Sequence, residues 1–386
     1  MAEKNKKRRK VVLIAGSRSE FGYYQPIIEE IKRRSNMDYG IIVTNTHLLN
    51  SFGRTVDHIK DGKFKIEATI YNTFDGYNRV TMAKSLSVFM LQLPELLEKI
   101  EADIILVAGD RGEQMMAAIV GAHLYIPVAH IQAGELSGNI DGTIRHAITK
   151  LAHLHFVSNQ DAADRVLRMG EEKGRIFLVG APQLDDLVSG HVTSKEKIYE
   201  KYSLDNDKPN LLFVFHSVTE EYDRIAGYMD EVMGAIVELG LRTVVITSNS
   251  DAGSNIVRQK IKEYRQPFMY TVESVQRPDY AGLMNTVDAI VGNSSSGILE
   301  APTFKLPAIN IGSRQTGRIQ SINVINVDYE KEAIKMAIKK AISPAFKLKL
   351  KQCVNLYGDG QSSKRIVDVL ERIKIDDSLL VKKMTY

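Results

Sequence analysis

The sequence predicts an α/β protein made of two Rossmann-like, doubly wound domains. Short apolar runs alternate with longer amphipathic segments along the chain, and this alternation forms two successive series. An apolar run of about five residues is typical of a parallel strand buried on both faces, and the amphipathic segments are typical of the helices that connect such strands. A length of 386 residues suits two domains of ~100–200 residues each.

Each series predicts one parallel sheet with helices on both faces. The predicted strands of the first series lie at residues 11–15, 41–43, 104–108 and 127–131, and its predicted helices lie at 24–34, 83–99 and 113–124. The predicted strands of the second series lie at residues 211–215, 243–247, 289–291 and 308–311, and its predicted helices lie at 229–239, 255–264 and 330–342. The turn-rich stretch 183–195 separates the two series, and a final amphipathic helix is predicted at 363–373. We therefore expect domains at residues 1–184 and 185–360.

Composition excludes several classes of protein. The net charge of +4 arises largely from the basic run at residues 4–10, which contains no aromatic side chains and is interpreted as a solvated tail rather than a nucleic-acid arm. The single cysteine, Cys353, excludes an intrachain disulfide and a CxxC metal site. No apolar run approaches the ~20 residues of a membrane span, and no cleavage site follows the basic run. We expect a soluble, cytoplasmic protein without a nucleic-acid or membrane partner.

Polar side chains follow two predicted strands of the first domain, where doubly wound sheets bind their ligands. The first strand is followed by the loop GSRSEFG, which matches neither GxGxxG nor a P-loop but contains Arg18. Arg18 is a candidate phosphate ligand. The strand at 104–108 is followed by GDRGE, which places Asp110 and Arg111 at the same edge of the sheet.

The stretch HIQAGELSGNIDGTIRHAITKLAH, residues 130–153, follows the next strand. Asp141 is a predicted N-cap, and Arg145, one turn further on, is positioned to pair with it along the helix. The histidines do not match HExxH, so a zinc site is not expected. Glu135 and Asp141 flank a glycine and can converge on one small site, as a reaction that needs both a base and an acid requires.

The second domain carries residues suited to a nucleotide. His216 directly follows the strand at 211–215, where an imidazole would face a ligand. In GNSSSGILE, Ser294 and Ser295 precede a predicted helix whose free N–H groups suit a phosphate. Glu300 could accept hydrogen bonds from ribose hydroxyls, and Arg314 follows the next strand. A nucleoside diphosphate on the second domain and reactive carboxylates on the first indicate an enzyme that acts on a nucleotide sugar.

Five motifs together resemble the hydrolysing UDP-N-acetylglucosamine 2-epimerases, which include bacterial sialic and legionaminic acid enzymes and the epimerase half of an animal bifunctional enzyme. They are GDR at 109–111, AGELSGNIDGTIRHAITKLAH at 133–153, DAGS at 251–254, GNSSSG at 292–297 and PAINIGSRQTGR at 307–318. The resemblance extends from about residue 11 to about residue 373. It implies a glycosyltransferase-B-like fold with the active site in the cleft between the domains. It also implies that the helix within 361–386 packs back on the first domain, and that no metal or cofactor is bound.

The resemblance implies the following reaction. A proton leaves C2 of the sugar and UDP is expelled from C1 by anti elimination. Water then adds to the resulting glycal while C2 is protonated on the opposite face, which releases N-acetylmannosamine and UDP. Asp110 and Glu135 match the positions of the leading acid and base candidates, and Asp141 is the next candidate. Arg145 would orient these carboxylates, and His130 would line the same pocket.

The same resemblance assigns residues to the nucleotide. His216, Arg18 and Arg111 would stabilise the departing diphosphate, because cationic donors fixed there act on charge that develops in the transition state. The positions that match nucleotide contacts are Asn249, Ser294, Ser295, Glu300 and Arg314. The implied partner is a UDP-sugar substrate, and the implied assembly is a homodimer or homotetramer.

Gln132 departs from part of the family, because some members have an acid at this position. An amide cannot take a proton, so Glu135 or Asp110 must supply that function here. The substrate also remains open between UDP-N-acetylglucosamine and a 2,4-diacetamido-2,4,6-trideoxyglucose carried by UDP or GDP.

Three other functions are alternatives to hydrolysing epimerisation. A non-hydrolysing epimerase would carry a loop like HxEAGLRT, whereas this chain has HIQAGELSG. A glycosyltransferase of the same fold would need an acceptor pocket. A catalytically silent nucleotide-sugar sensor is supported only by Gln132.

Overall fold

The chain folds into two compact units, each built on one parallel sheet. The computed structural model describes residues 8–50, 54–74, 79–137, 140–190, 192–247 and 253–386. The first unit consists of Met1–Leu136, Ile140–Asp185 and Gly358–Tyr386, and the second consists of Ser137–Asn139 and Asp186–Tyr357.

The sheet of the first unit has seven parallel strands in the order β3-β2-β1-β4-β5-β6-β7. These strands are β1 (Arg9–Ala15), β2 (Met37–Thr44), β3 (Ile66–Ile70), β4 (Ile104–Ala108), β5 (Val128–Ile131), β6 (Leu154–Val157) and β7 (Ile176–Leu178). The helices up to β7 are α1 (Arg18–Lys32), α2 (Val56–Asp61), α3 (Arg79–Ile100), α4 (Gly112–His123), α5 (Ile140–Leu151) and α6 (Gln160–Arg168). Strand β4 is entirely buried and apolar, which explains its continuous hydrophobic run.

The sheet of the second unit has six parallel strands in the order β10-β9-β8-β11-β12-β13. These strands are β8 (Asn210–Val214), β9 (Arg242–Ile246), β10 (Met269–Val272), β11 (Ala289–Gly292), β12 (Ala308–Ile311) and β13 (Val324–Val327). The helices between β7 and the end of this unit are α7 (Asp185–Val188), α8 (Lys195–Tyr202), α9 (Ile225–Leu239), α10 (Ser254–Glu263), α11 (Arg277–Thr286), α12 (Ser296–Leu299), α13 (Lys331–Ala341) and α14 (Pro344–Lys349).

The chain ends in the first unit with α15 (Ser362–Arg372) and α16 (Asp377–Leu380). Asp185 accepts hydrogen bonds from the backbone N–H groups of Ser362 and Ser363 at 3.0 and 2.6 Å, and so caps the start of α15. Arg34 links α15 to the end of α1 through an ion pair with Asp368 at 2.8 Å. Helix α15 is thereby fixed at its start and in its interior to other elements of the first unit.

The structure corrects the sequence prediction in two respects. The segment GSRSEFG, predicted as a loop, contains the start of α1, because the helix begins at Arg18. Five strands were not predicted, namely β3, β6, β7, β10 and β13. Four of these are the edge strands of the two sheets, which are only partly buried and therefore lack a continuous apolar run.

In the described part of the chain, every helix is too short or too polar to cross a membrane.

Candidate functional site

The first unit gathers two carboxylates and one buried guanidinium beyond the ends of β4 and β5. Arg145 on α5 is 1% exposed, and its Nη2 forms an ion pair with Oδ2 of Asp110, two residues after β4. Burial lowers the pKa of Arg145, but the negative charges of Asp110 and Glu135 outweigh burial and raise it. Arg145 is therefore a fixed cation beside both carboxylates.

The helix pattern predicts that Arg145 pairs with Asp141, whereas the ion pair of Arg145 joins it to Asp110. Asp141 lies in the first turn of α5, after its first residue Ile140, rather than at the N-cap. It adds negative charge near Arg145, but the ion pair of Arg145 is with Asp110. The reason is tertiary: α5 packs beside α4, which begins directly after the Asp110 turn.

Glu135 lies in a tight turn after β5. Gln132 has φ +64° and Gly134 has φ +74°, and a Cβ on Gly134 would lie 2.5 Å from the carbonyl oxygen of Ala162. Position 134 requires glycine, because a Cβ would collide with this carbonyl oxygen and the positive φ would add strain. The turn buries Glu135 to 3% exposure, where Oε1 accepts a hydrogen bond from the Ser158 hydroxyl at 2.5 Å.

Ser158 was not identified from the sequence. It follows β6, a strand that the hydrophobic pattern did not reveal because LHFV contains His155. Its position after a strand would have drawn attention to it had β6 been predicted.

His130 does not line a pocket, contrary to the sequence prediction. It is 0% exposed, its Nε2 lies 2.8 Å from the carbonyl oxygen of Gly109, and its Nδ1 lies 3.2 Å from the Thr149 hydroxyl. Burial lowers the pKa of His130 to about 3. A neutral imidazole with both nitrogens engaged supports the turn that carries Asp110 rather than transferring protons.

His153, just before β6, and His155, within β6, have structural partners. Nδ1 of His153 accepts a hydrogen bond from the backbone N–H of Val128 at 3.1 Å. Nε2 of His155 lies 2.9 Å from Glu171, a fully buried carboxylate.

A second polar group lies at the ends of β1 and β4. Glu20 on α1 accepts hydrogen bonds from the N–H groups of Gly16 and Ser17 at 2.8 and 2.9 Å. Burial raises the pKa of Glu20 to about 7; the charge of Arg111 opposes this shift and that of Glu113 adds to it. Arg111, a predicted phosphate ligand, is thus near Glu20. Arg18 is the first residue of α1, and its side chain lies outside the described part of the structure.

In the second unit, Asn293 connects three strand ends. The backbone N–H of His216, after β8, donates to Oδ1 of Asn293 at 2.7 Å, and Nδ2 of Asn293 donates to the carbonyl oxygen of His216 at 2.7 Å. Arg314 and Gln315, after β12, donate to the carbonyl oxygen of Asn293 at 3.2 and 2.9 Å. Asn293 and Gln315 were missed because amides carry no charge and their partners are distant in sequence.

Asn293 can make these bonds because β11 ends in Gly292. The φ of Gly292 is +137°, and a Cβ there would collide with the carbonyl oxygen of Val214 on β8. The close approach of β8 and β11 therefore requires glycine at this position. It also brings His216 close to the serine segment that follows Asn293.

Ser294, Ser295 and Glu300 flank α12, which is only four residues long. The predicted helix dipole is accordingly small, since it accumulates over aligned peptide units. The serine hydroxyls and N–H groups remain as donors, and Oγ of Ser294 lies 3.0 Å from Oγ of Ser296. Glu300 is 9% exposed, and its Oε2 lies 3.1 Å from Nη1 of Arg277 on α11, a residue that the sequence interpretation missed. Asn249, a predicted nucleotide ligand, lies outside the described residues.

Chemically, the first unit offers carboxylates that can exchange protons, next to a permanent cation. The second unit offers hydroxyl, amide and cationic donors together with one carboxylate acceptor. Such donors suit a phosphorylated ligand, and the acceptor suits hydroxyl groups.

Comparison with known proteins gives one matching family model, described as UDP-N-acetylglucosamine 2-epimerase, which covers residues 29–371. The chain is 35% identical over 379 residues to the UDP-N,N'-diacetylbacillosamine 2-epimerase (hydrolyzing) of Legionella pneumophila, with coverage of 98% of this chain and 100% of that protein. It is 32% identical over 335 residues to the UDP-N-acetylglucosamine 2-epimerase of Neisseria meningitidis, with coverage of 87% and 88%.

The fold is also that of a solved structure. The crystal structure of a UDP-GlcNAc 2-epimerase from Neisseria meningitidis bound to UDP-GlcNAc matches with a TM-score of 0.81 at 19% identity, over 94% of this chain and 100% of that one. This match confirms the predicted glycosyltransferase-B-like class of two parallel-sheet α/β domains.

Proposed function

Because the chain belongs to the UDP-N-acetylglucosamine 2-epimerase family, we propose that it is a hydrolysing 2-epimerase of a UDP-linked 2-acetamido sugar. The reaction consumes water and releases UDP and the free sugar with inverted configuration at C2. The observation that supports it most is the group formed in the first unit by the partly exposed Asp110 and the buried Arg145 and Glu135. Two carboxylates beside a fixed guanidinium suit a proton transfer at carbon without another acid or base.

The first step is an elimination. A carboxylate takes the proton from C2, and the electron pair left behind forms the C1–C2 double bond while the bond from C1 to the diphosphate oxygen breaks. The carboxylate must keep a fixed orientation toward the hydrogen on C2. The ion pair with Arg145 fixes the orientation of the Asp110 carboxylate. The hydrogen bond from the Ser158 hydroxyl likewise fixes the orientation of the Glu135 carboxylate.

The second step is a hydration. Water adds its oxygen to C1 of the glycal and gives a proton to one carboxylate, while a protonated carboxyl group delivers a proton to C2 on the face opposite to the one that lost it. Proton removal and delivery on opposite faces require two groups, and Asp110 and Glu135 are the proposed pair, with Asp141 as the third carboxylate. Gln132, an amide in the turn before Glu135, takes no part in proton transfer.

The second unit holds the nucleotide in this proposal. Ser294 and Ser295 donate to phosphate oxygens, Glu300 accepts from the ribose, and His216 with Arg314 stabilises the charge that develops on the leaving diphosphate. The bonds of Asn293 hold the backbone of His216 and the guanidinium of Arg314 in place before substrate binds. Arg18, Arg111 and Asn249 remain proposed ligands of the same nucleotide.

Two sugars are candidate substrates. N-Acetylglucosamine is the sugar expected from the motifs, and it leads to N-acetylmannosamine for sialic-type acid synthesis. N,N'-Diacetylbacillosamine, a 2,4-diacetamido-2,4,6-trideoxyglucose, is favoured by one observation: the relative that carries this name aligns over 98% of this chain and all of its own length, at 35% identity. The N-acetylglucosamine enzyme aligns over 87% at 32%. We therefore place the diacetamido sugar first.

One experiment tests the reaction and the substrate together. The protein is incubated in deuterated water with UDP-N-acetylglucosamine or with UDP-N,N'-diacetylbacillosamine, and the sugar is followed by NMR. The expected result is UDP and a free 2-epimer with deuterium at C2, formed faster from the diacetamido substrate. A GDP-linked sugar serves as the nucleotide control.

Other outcomes have distinct meanings. A UDP-linked epimer with no free sugar would identify a non-hydrolysing epimerase. Turnover that occurs only after a sugar acceptor is added would identify a glycosyltransferase. UDP binding with no turnover of either sugar would identify a nucleotide-sugar sensor. Each of these results contradicts the proposal.

A further inference from the structure

Helix α11 presents two side chains to the serine segment of the second unit. Arg277 and Tyr280 lie at the first and fourth residues of α11, one turn apart and on the same face. Nη1 of Arg277 is 3.1 Å from Oε2 of Glu300. The Tyr280 side chain lies near Ser296 and Ser294. Helix α11 therefore lies beside the residues at both ends of α12.

The ion pair between Arg277 and Glu300 is largely shielded from water. The side chains are 27% and 12% exposed, respectively. A carboxylate at that depth needs a cationic or hydrogen-bonding partner to remain ionised and fixed in direction. Burial lowers the pKa of Arg277, but the charge and hydrogen bond of Glu300, together with the charge of Asp186, raise it overall. The guanidinium of Arg277 is therefore a fixed cation beside Glu300.

We infer that Arg277 is a positioning residue for the nucleotide: by binding Oε2 of Glu300 it leaves Oε1 as a fixed acceptor for the ribose hydroxyls of a nucleoside diphosphate. This inference rests on the proposed function, which assigns the ribose to Glu300. Arg277 itself need not contact the nucleotide. A vicinal diol is the chemical group recognised, because a single ionised oxygen can accept from one or both of its hydroxyls.

The inference separates Arg277 from a residue that only stabilises the fold. If Arg277 acts through Glu300, its loss weakens the recognition of ribose hydroxyls and leaves the phosphate contacts intact. If Arg277 only stabilises the fold, its loss lowers the affinity for every nucleotide to the same extent. A ligand without ribose hydroxyls distinguishes these two cases.

The test measures dissociation constants for UDP and for 2',3'-dideoxy-UDP by calorimetry on the full chain. Wild-type protein is expected to prefer UDP by about 10-fold or more, the size of hydrogen bonds to a charged acceptor. R277M is expected to lose most of that preference, while its affinity for dideoxy-UDP stays within about 3-fold of the wild type. E300Q should resemble R277M.

Two further variants complete the design. R277K keeps a positive charge at position 277 and is the measurement to use if R277M fails to fold; its preference for UDP should lie between those of R277M and wild type, because lysine lacks the guanidinium fork. K335M is the matched control, since it removes a similarly shielded cation, 17% exposed, that pairs with Glu238 on the surface of the same unit. It should keep the wild-type preference.

Four results would overturn the inference in distinguishable ways. If R277M keeps the wild-type preference for UDP, Arg277 does not position Glu300 for ribose. The same conclusion follows if R277M and R277K lower the affinities for both nucleotides equally. If wild-type protein binds neither nucleotide, the proposed function is wrong and the inference fails with it. If wild-type protein binds both nucleotides equally, Glu300 does not accept hydrogen bonds from the ribose hydroxyls.

Discussion

Nε2 of His130 lies 2.8 Å from the carbonyl oxygen of Gly109, the residue immediately before Asp110. A carbonyl oxygen can only accept, so His130 is the donor in this bond and carries its proton on Nε2. The bond ties the end of β5 to the turn after β4. It makes His130 part of the support for the candidate catalytic carboxylate.

Replacing His130 with phenylalanine should lower kcat, because the turn that carries Asp110 loses its buried donor. The expected loss is about 10-fold, with little change in KM. H130Q should recover part of the rate, since its amide nitrogen can reach the same carbonyl. Because burial lowers the pKa of His130 to about 3, the shape of the kcat profile between pH 5 and 9 should be unchanged in H130Q. Loss of an ionisation near neutral pH would show that His130 transfers protons.

Replacing Arg145 with methionine should destabilise the protein by about 3 kcal/mol, since it leaves Asp110 as a carboxylate without its buried partner. R145K should lose less. Urea unfolding measures the difference. The matched control is R33M, which removes a surface ion pair with Glu30 at 3.0 Å from a side chain that is 74% exposed, and should cost under about 1 kcal/mol. Equal losses in the two variants would contradict the structural role of Arg145.

Asp110→Asn and Glu135→Gln should each reduce kcat by about 100-fold or more, the usual contribution of an acid or base. UDP affinity should stay within about 3-fold of wild type, because neither Asp110 nor Glu135 is among the proposed nucleotide ligands. Turnover is followed by NMR and UDP binding by calorimetry. The control is E29Q, whose side chain is 48% exposed on α1. A near-wild-type rate in D110N or E135Q would remove that residue from the mechanism.

Ser158→Ala should lower kcat by about 10-fold, because Glu135 loses the hydroxyl that fixes its direction. The protein should remain folded, since the substitution removes one oxygen atom. Ser87, exposed on α3, provides the same substitution away from the site, and S87A should have the wild-type rate. If S158A and S87A are equally active, the bond between Ser158 and Glu135 has no role in turnover.

Glu20→Gln should change the pH dependence of stability. In the wild type, burial raises the pKa of Glu20 from 4.5 to about 7, so the folded state keeps a proton that the unfolded chain releases. Wild-type stability therefore falls as pH rises from about 4.5 to about 7, by up to ~3 kcal/mol from this group. The glutamine variant lacks this loss. Urea unfolding at pH 5.0 and 7.5 measures the unfolding free energy of the variant minus that of the wild type. This difference should be larger at pH 7.5, and an equal difference at the two pH values would contradict the raised pKa of Glu20.

The sequence by itself determined the class of fold and the location of the candidate functional residues along the chain. Buried parallel strands such as β4 are continuous apolar runs, and residues that follow them are placed by topology at one edge of the sheet. Asp110, Glu135, His216 and Arg314 could therefore be selected before any contact was known. Edge strands such as β13 escaped detection because partial burial removes the pattern on which the prediction depends.

Only the tertiary structure decided which side chains are partners. The pattern of a helix suggested that Arg145 pairs with Asp141, four residues away, but packing of α5 beside α4 gives it Asp110, thirty-five residues away. The bond of His130 to Gly109 and that of Arg277 to Glu300 likewise join segments with no local signal. Periodicity records which face of an element is buried, whereas the partner of a buried polar group is chosen by whichever distant element packs against that face.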